Sequence, residues 1–342
     1  MLTFQNRKGD DSLRCTFRTA VPGKIDREVL EALSFCIRDE YQDTYSDPRL
    51  YDVDALVSMV EENKLMTAAA IREDGEPVAV INLKECPPFE GVGDLSMHVV
   101  RRKFRGYGIG TPLVQYIMGL PETGWLTGIV SHSATYHSIA QHESFWVGLR
   151  PCGALYSQHI NALLSHSFEK VGVKQTFLVA ACTRGKLDAG VLYLPKEHRD
   201  FAASCYRSME AACCIAEEGA CLADDTQLQF WQDEIHQTLM AQVNCCGEDL
   251  KEKVGSMLNV FGARCPLETV TLFLNCSDPS AEAGYRILRE LGFRFAGFHP
   301  LCRSGEYMIL HHPMQVEVPF DRMHVDDSYR AVFDYLRNHF DD

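Results

Sequence analysis

The feature that most constrains this chain is a turn with three glycines between an extended segment and a helical one. Residues 94–100 alternate as a strand does, Gly106, Gly108 and Gly110 crowd the turn, and helical spacing begins at Thr111. A strand, turn and helix in this order direct several backbone N–H groups and the positive helix end into one concavity. The sequence therefore predicts an anion-binding turn in an α/β fold.

Two other phosphate-binding turns do not match this spacing. A dinucleotide fingerprint needs a third glycine where this chain has Thr111 or Leu113, and a P-loop needs Gly-Lys-Ser/Thr, which the turn lacks. The pattern that remains is R-x-x-G-x-G, at residues 105–110. Four basic residues stand beside the turn and are expected to compensate phosphate charge: Arg101, Arg102, Lys103 and Arg105.

Overall charge and cysteine usage restrict the partners and the compartment. The chain has 33 Lys+Arg against 47 Asp+Glu, a formal charge of −14, which argues against nucleic acid or an anionic membrane as a partner. Its 14 cysteines are scattered, no apolar run approaches the length of a membrane span, and the first residues lack the apolar stretch of a secretory leader. We therefore expect reduced thiols and a cytoplasmic protein.

No metal site is predicted. The adjacent pairs at 213–214 and 245–246 lack the C-x₂-C spacing of a zinc site. His132, His137 and His142 recur every five residues, and five helical steps turn about 500°, which scatters side chains around a helix.

Hydrophobic spacing divides the chain into two halves without a low-complexity linker, predicted as domains 1–165 and 166–342. The first half is expected to contain helices at 25–40, 52–63, 111–118 and 137–147, and strands at 67–72, 77–83, 94–100 and 125–130. The second half is expected to contain strands at 176–182, 191–194, 269–275, 293–298 and 307–311, and helices at 197–212, 250–261, 281–291 and the C-terminus.

The R-x-x-G-x-G turn, with Leu113 three residues beyond it and a Gly-rich ending at 145–153, resembles the GCN5-related N-acetyltransferase (GNAT) superfamily over residues 13–160. The resemblance implies a mixed, largely antiparallel sheet flanked by helices. It also implies an enzyme that moves an acetyl group from acetyl-CoA to a primary amine by direct attack. The donor contacts that it implies are His98, Val99, Val100, Arg105, Gly106, Tyr107, Gly108, Ile109, Gly110, Thr111 and His137.

Direct attack needs a neutral amine, a polarised carbonyl and a proton for the departing thiolate. The resemblance implies Asp94 as the base, His98 as a second candidate, and the Val100 N–H as the donor to the carbonyl. Ser144 stands where many members place a tyrosine acid, and His137 where they place an asparagine. Alternatives stay open for both roles. Asp94 can be an ordinary turn residue without a catalytic role, and the proton for the thiolate can come from solvent or another residue instead of Ser144.

The second half repeats the strand, helix and Gly-Phe-x-x-x-Gly ending at residues 272–297 but has no R-x-x-G-x-G. We expect a degenerate GNAT-like domain there, without acetyl-CoA; the alternative is an ordinary strand–helix–strand unit. The acceptor is expected to be a small-molecule or peptide amine, and a homodimer is allowed for. The competing hypothesis is a non-catalytic CoA-binding or regulatory module, because the tyrosine is missing.

Overall fold

The computed structural model describes residues 1–159, 174–185, 187–264 and 267–341. These residues form two compact units, one made of residues 1–126 and the other of the described residues from 127 onward. The predicted domain boundary between residues 165 and 166 lies outside the described residues.

The first unit is a five-stranded antiparallel sheet with three α-helices. Its strands lie in sequence order, each paired with the next. The elements are β1 (Leu2–Gln5), β2 (Ser12–Ala20), α1 (Arg27–Tyr41), α2 (Val53–Glu61), β3 (Leu65–Ile71), β4 (Pro77–Glu85), β5 (Val92–Val100) and α3 (Gly110–Met118).

The core of this unit lies between the sheet and the helices α1 and α2. Leu33 and Ile37 on α1 and Val60 on α2 are fully buried against Val80 of β4 and Val99 of β5. Every residue of β3 is buried, so both faces of the sheet are covered, and α3 also contacts β3 and β4. The helices are therefore held by burial of their apolar faces, the main source of helix stability in proteins.

The second unit contains an eight-stranded sheet, a separate two-stranded sheet and five α-helices among its described residues. The strands are β6 (Gly128–Ala134), β7 (Arg150–His159), β8 (Gln175–Thr183), β9 (Asp188–Leu192), β10 (Ala212–Ile215), β11 (Gln227–Asp233), β12 (Thr238–Cys245), β13 (Thr269–Asn275), β14 (Arg294–Cys302) and β15 (Gly305–His312). The helices are α4 (Ile139–Trp146), α5 (Arg199–Ser208), α6 (Leu250–Arg264), α7 (Ala281–Glu290) and α8 (Asp327–Asn338).

The larger sheet contains the same connection twice. Its order is β6-β8-β7-β14-β15-β13-β12-β11, and only β12 and β13 are parallel. In each half a strand, β6 or β13, leads through a helix to a second strand, β7 or β14. The strand after that, β8 or β15, lies between those two. The halves meet at the single pair Gly153–Gly297 of β7 and β14.

The predicted fold class, a mixed and largely antiparallel sheet flanked by helices, is confirmed. Most predicted elements are found close to their expected positions; β13, for example, covers 269–275 as predicted. The strand predicted at 176–182 to open the second half is β8, which pairs with β6 and β7. No helix within the described ranges is long and apolar enough to cross a bilayer.

Six strands were not predicted from the sequence: β1, β2, β7, β10, β11 and β12. The chain was expected to begin with a helix, whereas two strands precede α1. The sequence of β7 contains Pro151 and Gly153, which normally weaken a strand. Its neighbours β8 and β14 hold it in the sheet, so its pairing comes from distant residues.

Candidate functional site

The turn between β5 and α3 is open at both of its left-handed glycines. Gly106 has φ +88° and Gly108 has φ +70°, a region where a Cβ is strained. A Cβ built at either position would meet no other atom within 4 Å. The turn therefore needs glycine for its conformation, and its backbone is accessible to a ligand.

The amides of this turn lack acceptors in the part of the chain that the structure describes. From Gly106 to Gly110, none donates a hydrogen bond to another described residue; the first bond of the helix runs from the Leu113 N–H to the Ile109 carbonyl (3.2 Å). Such donors at the positive end of a helix fit phosphate oxygens. We refer to residues 106–110 as the cradle.

Three of the four basic residues beside the cradle form ion pairs within the protein, namely Arg101, Lys103 and Arg105. Arg101, whose side chain is 11% exposed, pairs with Asp39 at 2.9 Å and with Glu76 at 2.9 Å. Lys103 pairs with Glu76 as well. Arg102 is exposed. Carboxylates of α1 and of the β3–β4 hairpin thus already pair with three of the four residues, and their expected role in compensating phosphate charge stays a prediction.

Arg105 connects the end of β5 to helix α1. Its Nε donates to the Val100 carbonyl (2.9 Å), and its Nη2 donates to the Glu40 carboxylate (2.8 Å). The Glu40 side chain is 7% exposed, so the pair is anchored in the core. The hydroxyl of Tyr107 donates to Asp11, and that hydrogen bond raises the pKa of Tyr107. These contacts hold the beginning of the cradle.

Strand β5 contains a bulge just before the cradle. Met97 and His98 stand opposite the single residue Ile81 of β4, and Met97 has φ +51°. The Asn82 amide donates to the Met97 sulfur (3.5 Å), and the Thr67 hydroxyl donates to the Asn82 Oδ1 (2.9 Å). A bulge leaves backbone groups outside the ladder and bends the strand. The packed polar pair on β3 and β4 therefore fixes where β5 bends.

The Val100 amide points away from β4. The Arg101 N–H donates to the Val78 carbonyl of β4 (3.0 Å), and neighbouring residues of a strand direct their N–H groups to opposite sides. Val99, by contrast, is 3% exposed and packs in the core, so its side chain is not available to a ligand. Of the predicted contacts on β5, His98 at the bulge and Val100 therefore remain candidates for contacts through the main chain.

Asp94 forms a cross-strand pair with Lys84. The two are directly opposite in β5 and β4, with Nζ and Oδ2 3.6 Å apart and side chains 35% and 13% exposed for Lys84 and Asp94. Burial alone would lower the pKa of Lys84, but the charges of Asp94, Tyr45, Cys86 and Asp47 together raise it. Lys84 is therefore charged at neutral pH and forms an ion pair with Asp94 across the two strands.

Asp94 and Val100 cannot act on one acetyl group. They are six residues apart on β5, about 20 Å at 3.3 Å per residue and somewhat less at the bulge. A general base works within hydrogen-bond reach or through one water. A base at Asp94 and a carbonyl donor at Val100 are therefore too far apart to serve the same attacking amine and acetyl carbon.

Ser144 and His137 belong to the second unit. Ser144 is buried on α4; its hydroxyl accepts from Ser131 (3.1 Å) and lies 3.4 Å from that of Ser133. His137 precedes α4, and its carbonyl accepts from the Gln141 amide (3.2 Å). Ser144 is thus part of a serine cluster, and its role as an acid stays a prediction.

The histidine series does not lie on one helix. His132 is in β6 and stacks on His299 at 5.9 Å between ring centroids, whereas His142 is in α4 and lies 3.2 Å from Asp326. Within the described ranges, no group of three or more His, Cys, Asp or Glu side chains could hold a metal ion.

Sequence reasoning missed Lys84 and Glu40. Lys84 follows the strand predicted at 77–83, and only the register of β4 with β5 places it opposite Asp94. Glu40 is near the end of α1, 65 residues from its partner Arg105. Neither contact has a local sequence signal.

The corresponding turn of the second unit, between β12 and α6, is filled by the chain itself. A Cβ on Gly247 would overlap the backbone of Asp225. The amides of the turn donate to acceptors of the same unit, namely Cys246 to Ser280 Oγ (2.9 Å), Gly247 to Thr226 Oγ1 (2.9 Å) and Glu248 to the Ala223 carbonyl (2.9 Å). Asp249 adds a carboxylate there, whose pKa is lowered by hydrogen bonds from Lys253 and Thr226. Residues 223–226 thus occupy the place that the first turn leaves open.

Comparison with known proteins identifies the family of this region. Residues 28–123 match the acetyltransferase (GNAT) family model. Solved structures with similar folds include the spermidine/spermine N-acetyltransferase SpeG from Vibrio cholerae in complex with manganese ions, at 14% identity and TM-score 0.37, covering 50% of this chain and 93% of that one. A GNAT-family protein from Desulfovibrio desulfuricans aligns at 11% identity and TM-score 0.36, covering 50% of this chain and 100% of that one. No curated protein sequence matches the chain.

Proposed function

Since residues 28–123 are an acetyltransferase domain of the GNAT family, we propose that this domain binds acetyl-CoA and that the chain is an N-acetyltransferase. The acetyl group passes to a primary amine by direct attack. The observation that carries the proposal is the cradle, whose amides from Gly106 to Gly110 have no acceptor among the described residues. The turn between β12 and α6 offers a comparison within the same chain, because its amides already donate to acceptors of their own unit.

Different groups of the chain contact different parts of acetyl-CoA along β5. The cradle amides hold the pyrophosphate, and Arg105 keeps the cradle in place through Val100 and Glu40. The outward main chain of Val100 hydrogen-bonds the pantetheine arm. Acetyl-CoA supplies a thioester, whose thiolate leaves readily because thiols have a pKa near 8.5.

The base and the carbonyl donor lie nearer the N-terminal end of β5 than Val100 does. We assign the base to Asp94, acting directly or through water, and the carbonyl donor to a backbone N–H of the bulge at Met97 or His98. These residues are three and four positions from Asp94, about 10–13 Å along the strand. An amine and one water can bridge that separation between the carboxylate and the acetyl carbon, whereas the separation of about 20 Å between Asp94 and Val100 is too long.

The acceptor is proposed as a small-molecule or peptide amine, in a cytoplasmic protein that can form a homodimer. The thirteen described cysteines are all free thiols, which supports a reducing compartment. Residues 166–342 are proposed as a degenerate copy of the fold, because β13, β14 and β15 repeat the connection of β6, β7 and β8, while residues 223–226 block the turn between β12 and α6. It would take no second acetyl-CoA.

One alternative is favoured by specific contacts. Asp94 is paired with Lys84, and Ser144 is buried among serines, so neither group is poised as an unhindered base or acid. A domain with an open cradle and these committed side chains would bind CoA without turnover. Binding and turnover are therefore tested separately.

Calorimetric titration of CoA tests the cradle. Gly108→Glu places a carboxylate in the cradle and should weaken CoA binding at least about tenfold. Gly190→Glu is the matched control, because Gly190 has φ +72° and open space around it, like Gly108; it should bind CoA as the wild type does. No CoA binding by the wild type would overturn both the enzyme and the binding module.

Turnover is measured as free thiol released from acetyl-CoA with a panel of small primary amines and lysine peptides. The enzyme proposal expects amine-dependent release in the wild type and in Gly190→Glu, and its loss in Gly108→Glu. CoA binding without release for any amine would favour the non-catalytic module.

A further inference from the structure

A cavity of about 340 Å³ opens in the second unit between the start of α5, helix α7 and the end of α8. Its lining residues are Glu197, His198, Tyr285, Arg286, Arg289 and His339. This volume is at the lower end of the range for small-molecule sites. The cavity thus has room for a small ligand, and no predicted site residue lines it.

Three of the lining residues, Glu197, His198 and Tyr285, belong to a directed hydrogen-bond chain that also includes Tyr335. The Tyr335 hydroxyl donates its proton to the Glu197 carbonyl (2.9 Å), so it accepts from the Nδ1–H of His198 (3.0 Å). Burial, followed by the charges of His339 and Arg289, lowers the pKa of His198 to about 3, and the ring is neutral at pH 7. Its Nε2 therefore accepts from the Tyr285 hydroxyl (2.9 Å), which fixes the direction of that hydroxyl proton.

The lining residue Arg289 is a cation without a carboxylate partner among the described residues. Arg289 donates one hydrogen bond, to the Phe293 carbonyl (3.0 Å), and forms no ion pair with a carboxylate of the described residues. The remaining N–H groups of the Arg289 guanidinium are thus available to a ligand. The neighbouring lining residue His339 has its Nδ1 2.8 Å from the Tyr335 carbonyl, which is an acceptor, so Nδ1 carries the proton.

The other charges around the cavity nearly balance. Arg286 pairs with Glu282 at 2.6 Å, and Arg199 approaches the second oxygen of Glu282 at 3.5 Å. Glu197 is exposed at the rim. Arg199, Arg286 and Arg289 together exceed these two carboxylates by one charge, so the cavity is cationic in a protein of net charge −14.

We propose that this cavity is a binding site for a small oxyanion, a phosphate or carboxylate group, held by Arg289 and completed by Arg286. A planar guanidinium binds both groups with paired hydrogen bonds. Glu197 at the rim disfavours ligands of high negative charge, so a single oxyanion group on a small molecule fits best. The site is separate from the acetyl-CoA cradle and independent of it.

The test is a ³¹P NMR titration of inorganic phosphate into the 342-residue chain carrying Gly108→Glu, which removes the cradle as a second phosphate site. Saturable binding is expected. Adding Arg289→Gln should weaken it at least about tenfold, the loss of one charge-assisted contact. Arg207→Gln is the matched control: Arg207 is exposed on α5, outside the cavity lining, and its loss changes net charge equally. It should bind as its parent does.

Acetate, which carries a single carboxylate, distinguishes the two oxyanion groups. Tighter binding of acetate than of phosphate, measured by displacement of phosphate, assigns the site to carboxylates, and tighter binding of phosphate assigns it to phosphates. Non-saturable shifts, or equal affinity for the Arg289→Gln and Arg207→Gln variants, would overturn the proposal. Arg286→Gln, at a side chain 70% exposed, gives a second variant that keeps the fold if Arg289→Gln does not.

Discussion

Gly153 and Gly297 face each other across β7 and β14 so closely that a Cβ on Gly297 would overlap the Gly153 Cα. Each lies five residues after a left-handed glycine, Gly148 at φ +104° and Gly292 at φ +94°. The two halves of the eight-stranded sheet therefore meet at equivalent positions, and the contact requires glycine on both sides.

Gly297→Ala should destabilise the second unit by about 2–4 kcal/mol, because the new Cβ clashes with backbone and the residue has φ +97°. The measurement is urea denaturation followed by circular dichroism. Gly255→Ala on α6 is the control: its Cβ would meet nothing within 4 Å, so it should stabilise by about 0.5–1 kcal/mol. Equal effects of the two alanines would contradict the close contact.

A double-mutant cycle separates the contribution of the Lys84–Asp94 pair to stability from its contribution to catalysis. Asp94→Asn should lower kcat by about 10²-fold or more if Asp94 is the base, whereas Lys84→Met should keep most of the turnover. The coupling free energy of unfolding between the two substitutions should be only about 0.5–1 kcal/mol, since the Lys84 side chain is 35% exposed. Thiol release and urea denaturation measure the two effects. Undiminished turnover in Asp94→Asn would remove Asp94 from the base role.

Glu306 should make stability depend on pH. It is 3% exposed, its Oε2 accepts from the Tyr206 hydroxyl (2.6 Å) and the Leu301 N–H (2.7 Å), and burial raises its pKa from 4.5 to about 7. Between these values the folded chain keeps a proton that the unfolded chain has released. Stability therefore falls as pH rises through this window, by at most about 3 kcal/mol from this group.

Glu306→Gln tests this assignment. A glutamine oxygen can accept both hydrogen bonds but does not titrate, so the variant should lose that part of the slope between about pH 5 and pH 7.5. Urea denaturation at several pH values measures it. The same slope in both proteins would show that other groups cause the pH dependence.

The thiols should react in an order set by exposure. Cys214 and Cys221 are the exposed cysteines of the described residues, whereas burial raises the pKa of Cys36 to about 12. A thiolate is the reactive form, so reaction of the folded chain with a disulfide reagent should include a fast phase from Cys214 and Cys221. The double serine variant should lose two fast equivalents; an unchanged fast phase would contradict this order.

Features that depend on neighbouring residues could be predicted from the sequence alone. The cradle needs positive φ at Gly106 and Gly108, and glycine is the residue that adopts it without strain. Helices α1, α2 and α3 follow from apolar spacing over one or two turns. The repeated glycine ending likewise placed Gly148 and Gly292 at equivalent points of the two halves, although it did not predict the strand β7 that follows Gly148.

Other features depended on pairing between distant residues. Strands β1, β2 and β7 have weak local signals and exist because neighbours complete their hydrogen bonds. The contact of Lys84 with Asp94 comes from strand register, and that of Arg105 with Glu40 from packing of α1. The second turn is closed by residues 223–226, which no motif links to it. Backbone conformation is a local property of the residue type, whereas partner choice is decided by burial and register across the whole fold.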